Sequence, residues 1–142
     1  MGNLLSRDKL LAKEKLQIAR IDFENGDFVY VREMSGHERD LFEQSMLKKN
    51  VDKKGQIVGY EQSIEDFRAK MAVITLCDEK GEVLLKQEDY PTLSRNMGAK
   101  KLDIIASKAQ EINGITEKDR EELVKNSKPG QESNSSSGSA EN

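Results

Sequence analysis

Tryptophan is absent from this 142-residue chain, cysteine and histidine occur once each, proline occurs twice, and aromatic residues make up only 5%. Each shortage excludes something. A lone cysteine, Cys77, rules out an intramolecular disulfide and a multi-cysteine metal site. It lies in the apolar run MAVITLC, where a small buried hydrophobe is the expected role. A lone histidine, His37, leaves no partner for the paired-histidine spacing of a metalloprotease. With so few aromatic rings, the core must be aliphatic and any interaction surface must lean on Leu, Ile and Met. No stretch reaches the roughly 18 apolar residues that span a bilayer. The start of the chain alternates charge with leucine where a signal peptide would carry an apolar block. The formal charge of -3 and pI near 5.4 supply no positive field to neutralise phosphates, so no nucleic-acid partner is expected. A soluble, intracellular chain without a membrane partner is expected.

What the chain does contain is charge, at 35% of residues, and apolar residues that recur with period, also 35%. MGNLLS at residues 1–6 fits the N-myristoylation pattern through Gly2 and Ser6. Lys9, Lys13 and Lys15 are interleaved with Asp8 and Glu14, however, which weakens the polybasic second signal that stable anchoring needs. The plainer reading has Ser6 capping a short leader helix from Arg7 to about Lys15, with Leu10 and Leu11 on one face.

QIARIDF and FVYVREM flank ENGD, and Asn25-Gly26 is the strongest short hairpin signal in the chain. Then comes MSGHERDLFE. Ser35 and Glu38 form S-x-x-E, a capping box that opens a helix carrying Leu41, Phe42 and Met46, with Lys48-Lys49 suited to its negative end. His37 is then a solvated first-turn residue. NVDKKGQIVGY, residues 50–60, reads as a long loop. A second helix is expected from about Ser63, with Ile64, Phe67, Met71 and Ile74 on its apolar face. Residues 71–77 are apolar on every side, so they are either the buried end of that helix, the favoured reading, or a strand that pairs with EVLLK through DEKG. Gly81 is a positive-φ turn candidate, and Pro91 suits the first turn of a helix. Leu102, Ile105, Ala109 and Ile112 share a stripe, and Asn113-Gly114 stops that helix. Thr116 and Asp119 are expected to cap a last short helix ending near Lys125.

The organisation that follows is a leader helix over 1–16, an α+β domain over 17–126, and a disordered tail over 127–142. The domain places an N-terminal β-hairpin ahead of a mainly helical body. The tail, SKPGQESNSSSGSAEN from Ser127, has no large apolar residue to offset its ordering entropy. Catalytic chemistry is not expected. No Gly-rich phosphate loop occurs, no nucleophile has an identifiable base, and the EF-hand pattern does not fit Asp78-Glu79. Neither a cofactor nor a metal is implied.

One order of segments goes further. VREMSGHERDLFE closes a hairpin, a helix enters MAVITLCDEKGEVLL, an acidic step follows, and an amphipathic helix closes on EINGIT. In this the chain resembles the tail assembly chaperones of long-tailed bacteriophages and related prophages, over roughly residues 5–125. The resemblance rests on Val31, Arg32, Glu33, Met34, Ser35, Gly36, Glu38 and Arg39, on the Leu76–Gly81 turn, and on Ile112, Asn113 and Gly114. Pro91 and the 50–60 segment depart from it.

The resemblance implies a non-enzymatic protein in the cytoplasm of a bacterial host that coats the long helical tape-measure protein. The coat keeps its partner soluble until tail-tube subunits polymerise and displace it. It also implies a frameshift-extended form that recruits tube protein, and self-association along the rod. Phe42, Met46, Met71 and Met97 are the candidate contacts, though each reads more readily as core. The alternative is a generic cytoplasmic adaptor, including a version lipid-anchored through Gly2.

Overall fold

The computed structural model describes residues 2–115, 118 and 119. The leader forms helix α1 over Arg7–Leu11, with the Ser6 side chain accepting from the Lys9 amide at 3.3 Å. The helix stops at Leu11, short of Lys15, and Ala12 is already extended. None of its residues is buried, so packing contributes nothing to lengthen it, and a helix this short is marginal without packing.

Strands β1 (Ile18–Asp22) and β2 (Phe28–Arg32) pair antiparallel, with Ile18 opposite Arg32 and Asp22 opposite Phe28. Their loop is closed by Phe23 N–H to Asp27 O at 2.8 Å and Gly26 N–H to Phe23 O at 3.1 Å. Only Gly26 takes positive φ, at 95°, while the Asn25 side chain accepts from the Asp27 amide at 3.0 Å. The hairpin expected at Asn25-Gly26 is there, with a three-residue loop and the glycine alone in the left-handed position.

Helix α2 (Gly36–Ser45) follows its capping box and ends at Met46. The segment expected to be a loop is instead a second antiparallel hairpin, β3 (Leu47–Val51) with β4 (Ile57–Gln62). Lys48 and Lys49 therefore belong to a strand and not to a helix end. The turn repeats the geometry of the first, with Asp52 N–H to Gln56 O at 2.9 Å, Gly55 N–H to Asp52 O at 3.0 Å, and Gly55 φ at 83°. The Asp52 carboxylate accepts from the amides of Lys54 and Gln56, both at 2.9 Å, which pins the turn from inside. Ser63 N–H to Met46 O at 2.7 Å closes the base of this arm.

Helix α3 spans Phe67–Thr75, starting later than Ser63 because Ser63 accepts from the Glu65 amide in a local turn of its own. Its N-cap, Asp66, has φ 57° and gives no capping bond; its carboxylate accepts from Ser94 Oγ at 2.6 Å. The apolar run 71–77 resolves into both of its readings. It is helix to Thr75, then strand β5 (Leu76–Cys77), which turns through DEKG to an isolated bridge between Cys77 and Val83. EVLLK contributes that bridge and no longer strand. Gly81 takes φ 88° in the third turn of the same form. β5 joins the first hairpin to give the order β1-β2-β5, with Val31 opposite Leu76. Helix α4 (Tyr90–Asn96) carries Pro91 in its first turn, and α5 (Ala99–Ile112) closes with Gly114 at φ 68°.

Helices and antiparallel strands thus share one α+β fold, with a larger β component than a single hairpin. One buried cluster joins Met34, Phe42, Met46, Phe67, Met71, Ile74, Ala106 and Ala109. The other joins Ile21, Val31, Ala69, Ala72, Leu76, Leu102 and Ile105. The helical stripe on α5 feeds both, with Leu102, Ile105 and Ala109 buried. Lys70 is buried too. Its ammonium donates to Ser45 O at 2.8 Å and lies 5.1 Å from the Tyr90 ring centre, satisfying a carbonyl at the end of α2. The tail over 127–142 lies outside the described residues, as does the expected last helix apart from Lys118 and Asp119.

Candidate partner-binding surface

The residues that carry the resemblance come together at one joint. Ser35 Oγ accepts from the Glu38 amide at 3.2 Å, and Glu38 Oε1 accepts from the Ser35 amide at 2.9 Å, so the capping box is complete. The other carboxylate oxygen of Glu38 takes the guanidinium of Arg32, whose side chain is only 11% exposed. Across 79 residues of chain, Asn113 Oδ1 accepts from the Met34 amide at 2.7 Å. The Asn113 amide nitrogen donates to Ala109 O at 2.8 Å and Arg32 O at 3.4 Å. Arg39 reaches the Asn113 carbonyl at 3.4 Å and pairs with Glu43 at 3.0 Å. Asn113 thus does more than stop α5: its side chain ties that helix to the strand-to-helix joint. His37 is an exposed first-turn residue of α2.

Beside the joint lies a groove of about 790 Å³, walled by the leader at Lys13–Leu16, by Arg32 and Glu38, and by the Lys80–Val83 turn. Its lining is a mixture of both charge signs with Ser35, Leu16, Ile18 and Val83. Arg32 Nε is buried without a hydrogen-bond acceptor among the described residues. Burial pushes the Cys77 thiol above its ordinary value and the Arg32 charge only partly offsets this, which makes it a poor nucleophile at neutral pH. Among the described residues, no three His, Cys, Asp or Glu side chains gather in a way that would hold a metal ion. The Asp78 carboxyl sits below the ordinary carboxylate value because the amides of Glu82 and Lys80 donate to it within the turn.

Three of the four candidate contact residues are buried. Phe42, Met46 and Met71 are buried in the first cluster, where Phe42 meets Phe67 edge-on at 5.7 Å between ring centres. Met97 is half-buried against the second cluster. Their apolarity and helical spacing marked burial, which is the commoner reason for such a pattern.

One group of exposed apolar residues lies on the arm. Register places Leu47 and Lys49 opposite Gln62 and Tyr60 on one face and Lys48 and Asn50 opposite Glu61 and Gly59 on the other; a bulge then leaves Val58 unpaired and 65% exposed and brings Ile57 opposite Val51 on the first face. Leu47, Val51, Ile57 and Tyr60 are 45%, 59%, 49% and 58% exposed. An antiparallel strand pair ordinarily lays its apolar face on a core. Here β3 and β4 pack on each other and reach the body through α2 at the base of the arm. Sequence reasoning missed Val51, Ile57 and Tyr60 because it took residues 50–60 as a loop, and Leu47 because it ran the preceding helix on through Lys48-Lys49. The available signal was DKKGQ, whose Asp and Gly recur at the same spacing in DEKGE. The leader adds a second exposed set in Leu4, Leu5, Leu10 and Leu11.

Among the described residues no helix is long and apolar enough to cross a membrane. No protein-family model, curated protein or solved structure matches the chain.

Proposed function

We propose that this chain is a non-enzymatic tail assembly chaperone of a long-tailed bacteriophage or prophage. In this role it coats the tape-measure protein and holds it soluble, in the cytoplasm of the bacterial host, until tail-tube subunits polymerise around it. The observation that carries this reading is the convergence of the resemblance. Val31 to Arg39, the Leu76–Gly81 turn and Asn113 stand far apart in sequence, yet they meet through the Arg32–Glu38 pair, the Val31–Leu76 register and the Asn113 bond to Met34. The exposed apolar arm and leader are a second support, since a coat needs surface that is empty until its partner arrives.

The test is affinity capture of the tagged full chain from its native host during phage production, with mass spectrometry of what co-purifies. A very long, helix-rich protein carrying many copies of this chain is the expected result. Recovery with only small housekeeping partners or membrane fractions would sink the proposal and leave the adaptor, anchored or not through Gly2. A frameshift-extended form, visible as a second band with the same N-terminal peptides, would extend it to tail-tube recruitment.

A further inference from the structure

The β3–β4 arm combines three properties that the rest of the described chain does not combine. It is a two-stranded hairpin, an element that is marginal in water unless its apolar face is covered. Its apolar strip, Leu47, Val51, Ile57 and Tyr60, lies on one face and is about half exposed at every position. It is also basic within an acidic chain. Lys48, Lys49, Lys53 and Lys54 stand against Asp52 and Glu61, whereas the whole chain carries -3. None of the four lysines forms an ion pair with another described residue. The Asp52 carboxylate is committed to the turn amides.

Charge and area decide between occupants. The strip exposes on the order of 400 Å² of apolar side chain, the size of patch that marks an interaction site on a monomer. Two copies laid strip to strip would cover about 800 Å², below the roughly 1,200 Å² at which specific stable interfaces begin. They would also set six lysines against one another, Lys49, Lys53 and Lys54 from each arm. A second copy is therefore a poor occupant. An acidic partner is favoured by the same lysines. From Leu47 to Val51 the strand rises about 14 Å, and nine residues of α-helix cover the same length with apolar contacts at i, i+3, i+4 and i+7.

We infer that the arm is a docking site for an acidic amphipathic α-helix, whose apolar stripe lies on Leu47, Val51, Ile57 and Tyr60 and whose carboxylates meet Lys49, Lys53 and Lys54. This rests on the reading of the chain as a coat for a helical rod and deepens it, by naming the surface and the chemistry of the stretch that it grips. A strip this small gives a weak single contact, which suits a partner bound at many places and later stripped.

The experiment titrates the full-length chain against three labelled synthetic peptides of equal length, followed by fluorescence anisotropy. The first has an apolar helical stripe on a glutamate-rich background, the second has the same stripe on a lysine-rich background, and the third is the acidic peptide with its stripe scrambled. The acidic striped peptide is expected to bind, more weakly at high salt, and the other two to bind at least about tenfold more weakly. The double variant Val51→Ser, Tyr60→Ser changes only exposed positions. It should keep the wild-type melting temperature and lose about tenfold or more in affinity. Lys49→Glu with Lys53→Glu should shift preference toward the basic peptide.

Equal binding of acidic and basic striped peptides would overturn the inference, as would unchanged affinity in both arm variants. So would concentration-dependent self-association, measured by sedimentation, that the Val51→Ser, Tyr60→Ser variant abolishes while no peptide binds. The two proposals fail separately. Capture of a long helical protein with no peptide binding removes the arm and keeps the chaperone, while peptide binding with no such capture does the reverse.

Discussion

Replacing Asn113 with alanine is expected to destabilise the protein by about 1.5–3 kcal/mol, although Asn113 is a half-buried residue at the end of a helix. The figure comes from what the side chain holds. Its Oδ1 is the acceptor for the Met34 amide at 2.7 Å, a part-buried donor at the entrance to the capping box. Leaving such a donor unsatisfied costs roughly 1–3 kcal/mol. Loss of the bond to Ala109 O at 2.8 Å adds about 0.5–1 kcal/mol, while the contact to Arg32 O at 3.4 Å is too long to add much. Water reaching the half-buried site keeps the sum toward the lower figures. For a domain of this size the change corresponds to a fall in Tm of about 5–15 °C. Urea unfolding followed by far-UV circular dichroism gives the free energy, and calorimetry gives the Tm. Asn113→Asp keeps an acceptor for Met34 N–H but turns an acceptor-only oxygen toward the Ala109 and Arg32 carbonyls, so it should not recover wild-type stability. A loss under about 0.5 kcal/mol for Asn113→Ala, the range of an ordinary surface substitution, would refute the view that this side chain latches α5 to the joint.

Glu38→Ala strips the partner from buried Arg32 and the acceptor from the Ser35 amide together, with an expected cost of about 2–4 kcal/mol in urea unfolding. Glu38→Gln, which keeps the cap acceptor, should cost less. Met71→Ala should cost about 2–5 kcal/mol, since the side chain is fully buried; a partner-contact role would instead weaken capture and leave stability intact. Asp78 has its carboxyl value lowered in the fold by the Glu82 and Lys80 amides. Its contribution is therefore present above the unfolded-chain value of about 3.9 and is lost as pH falls through the lower folded value. Asp78→Asn keeps an amide acceptor without the charge, so its stability deficit, from urea midpoints across pH, should be clear at neutral pH and close below about pH 4. A deficit independent of pH would mean that the charge is not what holds the turn.

The elements legible in the sequence were those that carry their own punctuation. Asn25-Gly26, Ser35 with Glu38, Pro91 and Asn113-Gly114 each impose a local geometry that neighbouring chain does little to alter, and each stands where it was expected. The second hairpin was not legible. L-K-K-N-V and I-V-G-Y-E-Q break alternation with adjacent lysines and a glycine, and the arm has no core face of its own to impose a pattern. Residues 71–77 defeated periodicity because burial on every side erases the period that separates helix from strand. Burial also accounts for the pattern of the candidate contacts. A methionine stripe reports only that a face is covered, and Met46 and Met71 are covered by this chain itself. The tie between Asn113 and Met34 had no local signal, because a hydrogen bond across 79 residues is a property of the finished fold.

That separation has a consequence in time. As the chain leaves the ribosome, β1 and β2 are complete by Arg32, but the acceptor for the Met34 amide is synthesised 79 residues later. At about 5–20 residues per second the interval is roughly 4–16 s, far longer than the microseconds in which a hairpin forms. Ala106 and Ala109, which complete the cluster around Met34, Phe42, Met46 and Met71, emerge just before it. For those seconds the nascent chain displays its methionines and phenylalanines to its surroundings. The period in which the newborn protein itself needs shelter is set by the pace of translation, and slower decoding between residues 34 and 113 would lengthen it in proportion.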